Sequence, residues 1–197
     1  MSAPYWEILA AFLGVWGVWD LGKGKRRGYV SGTVSTTLYV LLCYQNGIYA
    51  DAWTNVWYSV MGIYGWRTWL VRERQNGGFV VVALNARNLG AGLGLGLGTW
   101  VLAVFLLVRY TDSTVPIWDA TTTALAVLAM FWMAAGHTVH WPVWVLVNLL
   151  SVGLYFSKNM YPTAVQYFVF LILAFRGWWL WHRLDPGGGK HWWSQNP

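Results

Sequence analysis

Trp144 and Asn148 lie four residues apart in an apolar run, so a helix would place them on one face. An indole face can stack on a flat heterocycle or hold a cation, and a carboxamide can bond sugar hydroxyls or another carboxamide. Asn55, Trp57, Tyr58 and Met61 form a similar group in another apolar run, and Gln166 and Tyr167 in a third. The competing reading is that each amide bridges two helices, worth under about 1 kcal/mol. The shared face of Trp144 and Asn148 favours binding for that pair. Catalysis is not expected, because no Ser/His/Asp or Cys/His arrangement is apparent. His137 and His140 are three apart, a spacing that suits a metal, but no third ligand accompanies them. Neither a metal nor a cofactor is therefore expected.

The elements that must position these side chains are membrane helices. Hydrophobic residues make up 57% of the chain and charged residues 10%, against about 25% charged in a soluble domain. Seventeen tryptophans suit a chain with many residues at a membrane interface. Seven apolar runs match the thickness of a bilayer core, near 5–21, 28–45, 48–70, 93–109, 116–135, 141–157 and 160–181. Pro4, Pro116, Pro142 and Pro162 fall at or just before first turns, where a missing amide proton costs little. Gln45-Asn46-Gly47 and Ser157-Lys158-Asn159 read as tight turns between antiparallel helices. No cleavable signal peptide is evident, and the lone Cys43 has no partner for an internal disulfide. The seventh run contains no lysine, which excludes a retinal Schiff base there.

Charge orients the chain. Lys23, Lys25, Arg26, Arg27, Arg72, Arg74, Arg87, Arg183 and Lys190 all fall on one side of seven spans, and only Arg109 and Lys158 on the other. Positive loops stay in the cytoplasm, which puts the N-terminus outside and the C-terminus inside. This topology accounts for the net charge of +6 better than nucleic-acid binding does. Glu7, Asp51 and Asp119 fall near outer ends of spans, and Arg176 is close enough to the inner end to snorkel. No charge is placed at the midplane, so ion-coupled transport has no positive support.

The chain also repeats. Displaced by 112 positions, residues 6–71 lie on 118–183 without a gap. Trp6 falls on Trp118, Tyr49 on Tyr161, Ala52 on Ala164, Gly65-Trp66 on Gly177-Trp178, and Trp69 on Trp181. Asn148 has Thr36 as its counterpart. Three helices in each copy and one between them keep both copies in the same orientation, as parallel repeats. The expected divisions are a first bundle over 1–71, a linker and connecting helix over 72–115, a second bundle over 116–184 and a flexible tail over 185–197. Residues 71–92 read as a polar linker. The alternating Gly90, Gly92, Gly94, Gly96 and Gly98 read as close helix packing or a flexible start to the connecting helix.

Several stretches carry a family resemblance. They are Trp6-Glu-Ile-Leu, Gly47-Ile-Tyr-Ala-Asp-Ala52 with Tyr58 and Tyr64-Gly-Trp66, and Asp119-Ala-Thr-Thr-Thr123. Trp141-Pro-Val-Trp-Val-Leu-Val-Asn148, Tyr155-Phe-Ser-Lys-Asn-Met-Tyr161 and Gly177-Trp-Trp-Leu-Trp181 continue the series. In order and spacing they resemble the PnuC-type vitamin transporters, over nearly the whole chain except linker and tail. The resemblance implies an all-α membrane protein with a SWEET-like 3+1+3 repeat. It also implies uptake of a non-phosphorylated vitamin by facilitated diffusion, with a cytoplasmic kinase trapping the product. Its substrate-site residues map onto Trp141, Trp144 and Asn148, with Asn55, Tyr58 and Gln166 as further carry-overs. Trp57 joins them as an alternative stacking partner for a pyridinium ring. Nicotinamide riboside is the expected substrate, and thiamine or another vitamin or nucleoside the alternative. A receptor without transport activity is the competing class, and assembly into a homo-oligomer is left open. The expected location is the bacterial cytoplasmic membrane.

Overall fold

The computed structural model describes residues 4–45, 49–111, 115–157 and 161–183. Seven helices follow one another: α1 Pro4–Gly22, α2 Arg27–Gln45, α3 Tyr49–Asn76, α4 Ala86–Tyr110, α5 Pro116–Ala134, α6 His140–Ser157 and α7 Tyr161–His182. There is no strand among the described residues. The turns expected at 46–48 and 158–160 and the tail lie outside them. Helix α2 packs between α1 and α3, and α6 between α5 and α7; α4 rests on α5. The two triplets meet through α1 with α7 and α3 with α5.

Two helices are longer than hydropathy suggests. Helix α3 continues to Asn76 because its polar end is tied down: Arg72 donates to the Ala135 carbonyl and Glu73 pairs with Arg26. Helix α4 begins upstream of its apolar run because Asn85 caps it, accepting from the Asn88 amide at 2.7 Å. The segment between helices is therefore 77–85 rather than 71–92, and it is not simply polar, since Phe79 and Val81 are buried. By length and hydropathy alone α4, α5 and α7 qualify as spans. The other four carry Trp, Tyr, Gly, Thr or Asn, which lower a hydropathy average although aromatics belong at membrane interfaces.

Small residues set the helix spacing. A Cβ on Gly28 would meet the Gly17 carbonyl oxygen at 2.5 Å, so α1 and α2 touch backbone to backbone. Gly92 and Gly96 of the alternating series face α5, and a Cβ on Gly92 would stand 2.5 Å from the Trp132 indole nitrogen. Gly90, Gly94 and Gly98 face open space.

The triplets meet in an aromatic cluster whose contacts are reciprocal. The Trp69 indole N–H donates to the Met133 carbonyl at 3.3 Å, and the Trp181 indole donates to the Leu21 carbonyl at 3.3 Å. Both donors and both acceptors are pairs displaced by 112 positions. Tyr29 meets Trp69 edge-on at 4.9 Å and 87°, and its counterpart Trp141 meets Trp181 at 5.7 Å and 84°. Gly65 lies against the Tyr29 ring and Gly177 against the Trp141 ring, where an added Cβ would come within 2.5 and 2.4 Å. The ends of α1 and α5 close alike, on Gly24 (φ 67°) and Gly136 (φ 75°). Lys25 N–H bonds Asp20 O at 2.9 Å and His137 N–H bonds Trp132 O at 3.0 Å, the long closure of a Schellman motif.

Segment 77–85 straps this end of the bundle. The Phe79 ring lies 4.6 Å from Trp69 and 4.8 Å from Trp181 and covers Gly24. Three residues on, the Val82 amide donates to the Gly136 carbonyl at 3.0 Å. The strap therefore touches the counterpart loops of both triplets. His137 locks it: Nδ1 donates to the Val82 carbonyl at 2.9 Å, which leaves Nε2 to accept from the Asn88 amide at 2.9 Å. Burial lowers the His137 pKa, with Arg72 adding to the effect and the Val82 bond opposing it.

Gly177→Ala should lower thermal stability by about 1–3 kcal/mol, because Trp141 cannot retreat, whereas Gly94→Ala should be neutral or mildly stabilising. Thermal melts in detergent compare the two. For His137 the unfolded chain takes up its proton near pH 6.5 while the buried ring resists protonation, so stability falls as pH drops through that value. Melting points between about pH 7.5 and about pH 5.5 should show this fall, and His137→Asn should flatten part of it.

Candidate substrate site

Helix α6 begins in the aromatic cluster and ends at the opposite face of the bundle. Asn148 is eight residues from its start, about 12 Å along the axis. This places it near the middle of an apolar layer about 30 Å thick. Asn148 is 4% exposed and makes no hydrogen bond among the described residues. Ser151, three residues on and also 4% exposed, makes none with its side chain. The Asn148 amide atoms are not fully sealed from the surface, so they stay free to bond a ligand group. Asn148 and Ser151 sit on neighbouring positions of one face, a signal readable from their spacing but overlooked for Ser151. The counterpart Thr36 is different: its hydroxyl is 2.7 Å from the Ser59 hydroxyl, bridging α2 and α3.

Three aromatic candidates pack against the central core cluster. Trp144, one turn from Asn148, is half-buried and packs against the central core cluster. Trp57 and Tyr58 of α3 are half-buried against the same cluster, next to the buried Met61. The Trp57 indole N–H is buried without a partner. Trp57 lies twelve residues before Trp69, about 18 Å along α3 from the aromatic cluster. Asn55 is half-buried, and its carbonyl accepts from Ser59 at 2.9 Å.

Two candidates stand apart. Trp141 is 1% exposed, with its ring against Gly177 and 4.5 Å from the His140 ring. It belongs to the packed end of the bundle in this conformation, about two turns or about 10 Å from Asn148 along α6. Gln166 of α7 is half-buried and donates to the Tyr39 hydroxyl at 3.5 Å, a contact between the triplets that spacing did not reveal. Beside it Tyr155 and Tyr167 stack at 5.2 Å with 10° between planes.

The two histidines have structural partners. His140 Nδ1 donates to the His137 carbonyl at 2.7 Å, and both His137 nitrogens are bonded as described. The buried carboxylate among the described residues is Asp20, at the strapped end, where Arg27 grips it at 2.6 and 3.2 Å. Mid-depth chemistry is therefore carried by indole and phenol faces, an amide and a hydroxyl. Such a set holds a flat or cationic ring beside a group that both donates and accepts hydrogen bonds.

Comparison with known proteins identifies relatives of the chain. The family described as nicotinamide mononucleotide transporter matches residues 4–183. The nicotinamide riboside transporter PnuC of Escherichia coli (strain K12) is 22% identical over 186 residues, covering 80% of this chain and 76% of that protein. The nicotinamide riboside transporter PnuC of Neisseria mucosa is 25% identical over 192 residues, covering 89% and 71%. The crystal structure of the vitamin B3 transporter PnuC superposes with a TM-score of 0.73 at 22% identity, over 92% of this chain and 82% of that one. This last likeness concerns the fold.

Asn148→Leu separates a binding amide from a structural one. Removing an unpartnered amide should leave the melting point unchanged or raise it, while substrate affinity falls at least about tenfold. Calorimetric titration beside a thermal melt checks both; lost stability with intact binding would make Asn148 a packing residue.

Proposed function

Because the chain belongs to the nicotinamide mononucleotide transporter family, we propose that it imports nicotinamide riboside through the bacterial cytoplasmic membrane. The observation that carries this reading is Asn148, buried without a partner at mid-depth and one turn from Trp144. Trp144 and Trp57 stack on the pyridinium ring, and Asn148 bonds the carboxamide or a ribose hydroxyl. Tyr58, Asn55 and Gln166 border the path, and Trp141 becomes a contact only when the strapped end opens.

The family's description names the mononucleotide, while the two relatives above are named for the riboside. The riboside suits this chain better. A phosphate brought to mid-depth needs cations or several N–H donors, and a buried dianion without them is prohibitive. The basic side chains Arg26, Arg27 and Arg72 are bound at the strapped end. Thiamine also presents a cationic ring, but the relatives' names favour the riboside.

In the proposed mechanism the two triplets act as 3+1+3 bundles that rock about the central site. The reciprocal Trp69 and Trp181 bonds support this reading, since equivalent surfaces can part and re-form symmetrically. The strapped end faces the cytoplasm, where the loop cations belong, and the N-terminus lies outside. With only aromatic, amide and hydroxyl groups serving the ring, transport runs down the substrate gradient, and a cytoplasmic kinase traps the product.

Uptake into liposomes containing the purified protein tests the proposal, with a riboside kinase enclosed. Labelled nicotinamide riboside should enter saturably, unaffected by ionophores, and the mononucleotide and thiamine should not compete. Dependence on a sodium or proton gradient would sink the uncoupled mechanism, and preference for thiamine would reassign the substrate.

A further inference from the structure

We propose that the groove between α1 and α7 binds an anionic phospholipid through its phosphate, at the strapped end of the bundle. The proposal rests on the helices spanning a bilayer, not on the identity of the substrate.

On α1, Phe12, Trp16 and Trp19 form one helical stripe, which Lys23 continues at the same spacing in the turn just past the helix end. Ile172, Arg176 and Trp179 on α7, with Arg183 just past its end, repeat that spacing. The helices run side by side here, because Trp181 bonds the Leu21 carbonyl and a Cβ on Gly22 would lie 3.5 Å from Gly177 Cα. The aromatic and aliphatic members of both stripes are exposed. Each stripe is apolar toward mid-depth and cationic toward the strapped end.

The cations converge on tryptophan faces. The Arg176 guanidinium lies 3.7 Å from the Trp19 ring centre, and Lys23 Nζ lies 4.8 Å from the same ring. The Arg183 guanidinium covers Trp179 at 3.6 Å. Two neighbouring cations at this end are neutralised, Arg26 by Glu73 and Arg27 by Asp20. No carboxylate forms an ion pair with Lys23, Arg176 or Arg183 among the described residues. Two like charges drawn to one indole repel each other unless an anion joins them.

A lipid phosphate fits where a free anion does not. Phe12 to Lys23 spans about 16 Å of helix, close to the depth of one leaflet, so a headgroup at the cations sets its acyl chains along the exposed stripe. The inner leaflet is also where anionic lipids meet basic residues of membrane proteins.

The full chain, purified in neutral detergent, should melt at least about 3 °C higher with added phosphatidylglycerol. Phosphatidylcholine and soluble glycerol phosphate should have little effect. Arg176→Gln with Lys23→Gln should lose most of that shift, and Arg176→Lys should keep part of it. If the double variant does not fold, Lys23→Gln alone should retain less phosphatidylglycerol by native mass spectrometry. Equal stabilisation of parent and double variant, equal retention by parent and Lys23→Gln, or equal shifts with both lipids would overturn the proposal. A shift reproduced by glycerol phosphate would replace the lipid with a free anion. The readout contains no nicotinamide riboside, so its failure and a failure of the uptake assay are separate results.

Discussion

Two indole N–H groups reaching across to the ends of two opposing helices hold this molecule together. Carbonyls in the last turn of a helix lack intrahelical partners, and in an apolar surrounding they must find others. Leu21 and Met133 stand at such ends; each accepts from the glycine N–H of its own turn at 2.9 Å, and Trp181 and Trp69 add donors from the opposite triplet, with the Tyr29 hydroxyl a further donor to Met133 at 3.1 Å. The arrangement works only if each indole is buried beside a glycine-backed aromatic partner. Gly65 makes room for Tyr29, and Gly177 for Trp141. A side chain at either glycine would push its ring toward the tryptophan that reaches across.

The strap depends on that cluster and also seals it. Phe79 fills the space between the two tryptophans, and Val82 is fastened to the second triplet through Gly136 and His137. The strap thus belongs to both halves, and motion of one against the other must strain or release it. Mid-depth is built differently. There an amide and a hydroxyl of α6 go without side-chain partners among the described residues, and Trp144 lies one turn away on the same helix. The strapped end is tightly packed, although His140 Nε2 and the Trp141 indole nitrogen are buried there without a partner, and the central level differs in offering an amide and a hydroxyl on one helix face.

Much of this was legible along the chain. The gap-free displacement of 112 positions paired Trp69 with Trp181 and Gly65 with Gly177 before any contact was known. The spacing of Trp144 and Asn148 put a stacking face and an amide on one side of one helix. Other features were hidden. Trp141 reads like Trp144 in sequence, yet it is packed at the strapped end, because a seven-residue step carries Asn148 about 10 Å away. Phe79 and Val81 lie in a short run between polar segments, and nothing local says that they are buried.

The sequence by itself determined the membrane-like composition, the seven helical segments and the pairing of positions between the two copies. These follow from apolar content, turn residues and self-similarity, which are properties of the chain read in one dimension. Only the tertiary structure decided that both tryptophans bond across the interface, that 77–85 crosses both loops, and that the Asn148 side chain has no partner among the described residues while Thr36 has one. Those outcomes depend on which helix faces are brought together, and a hydrogen bond between residues more than a hundred positions apart leaves no periodic trace in the sequence.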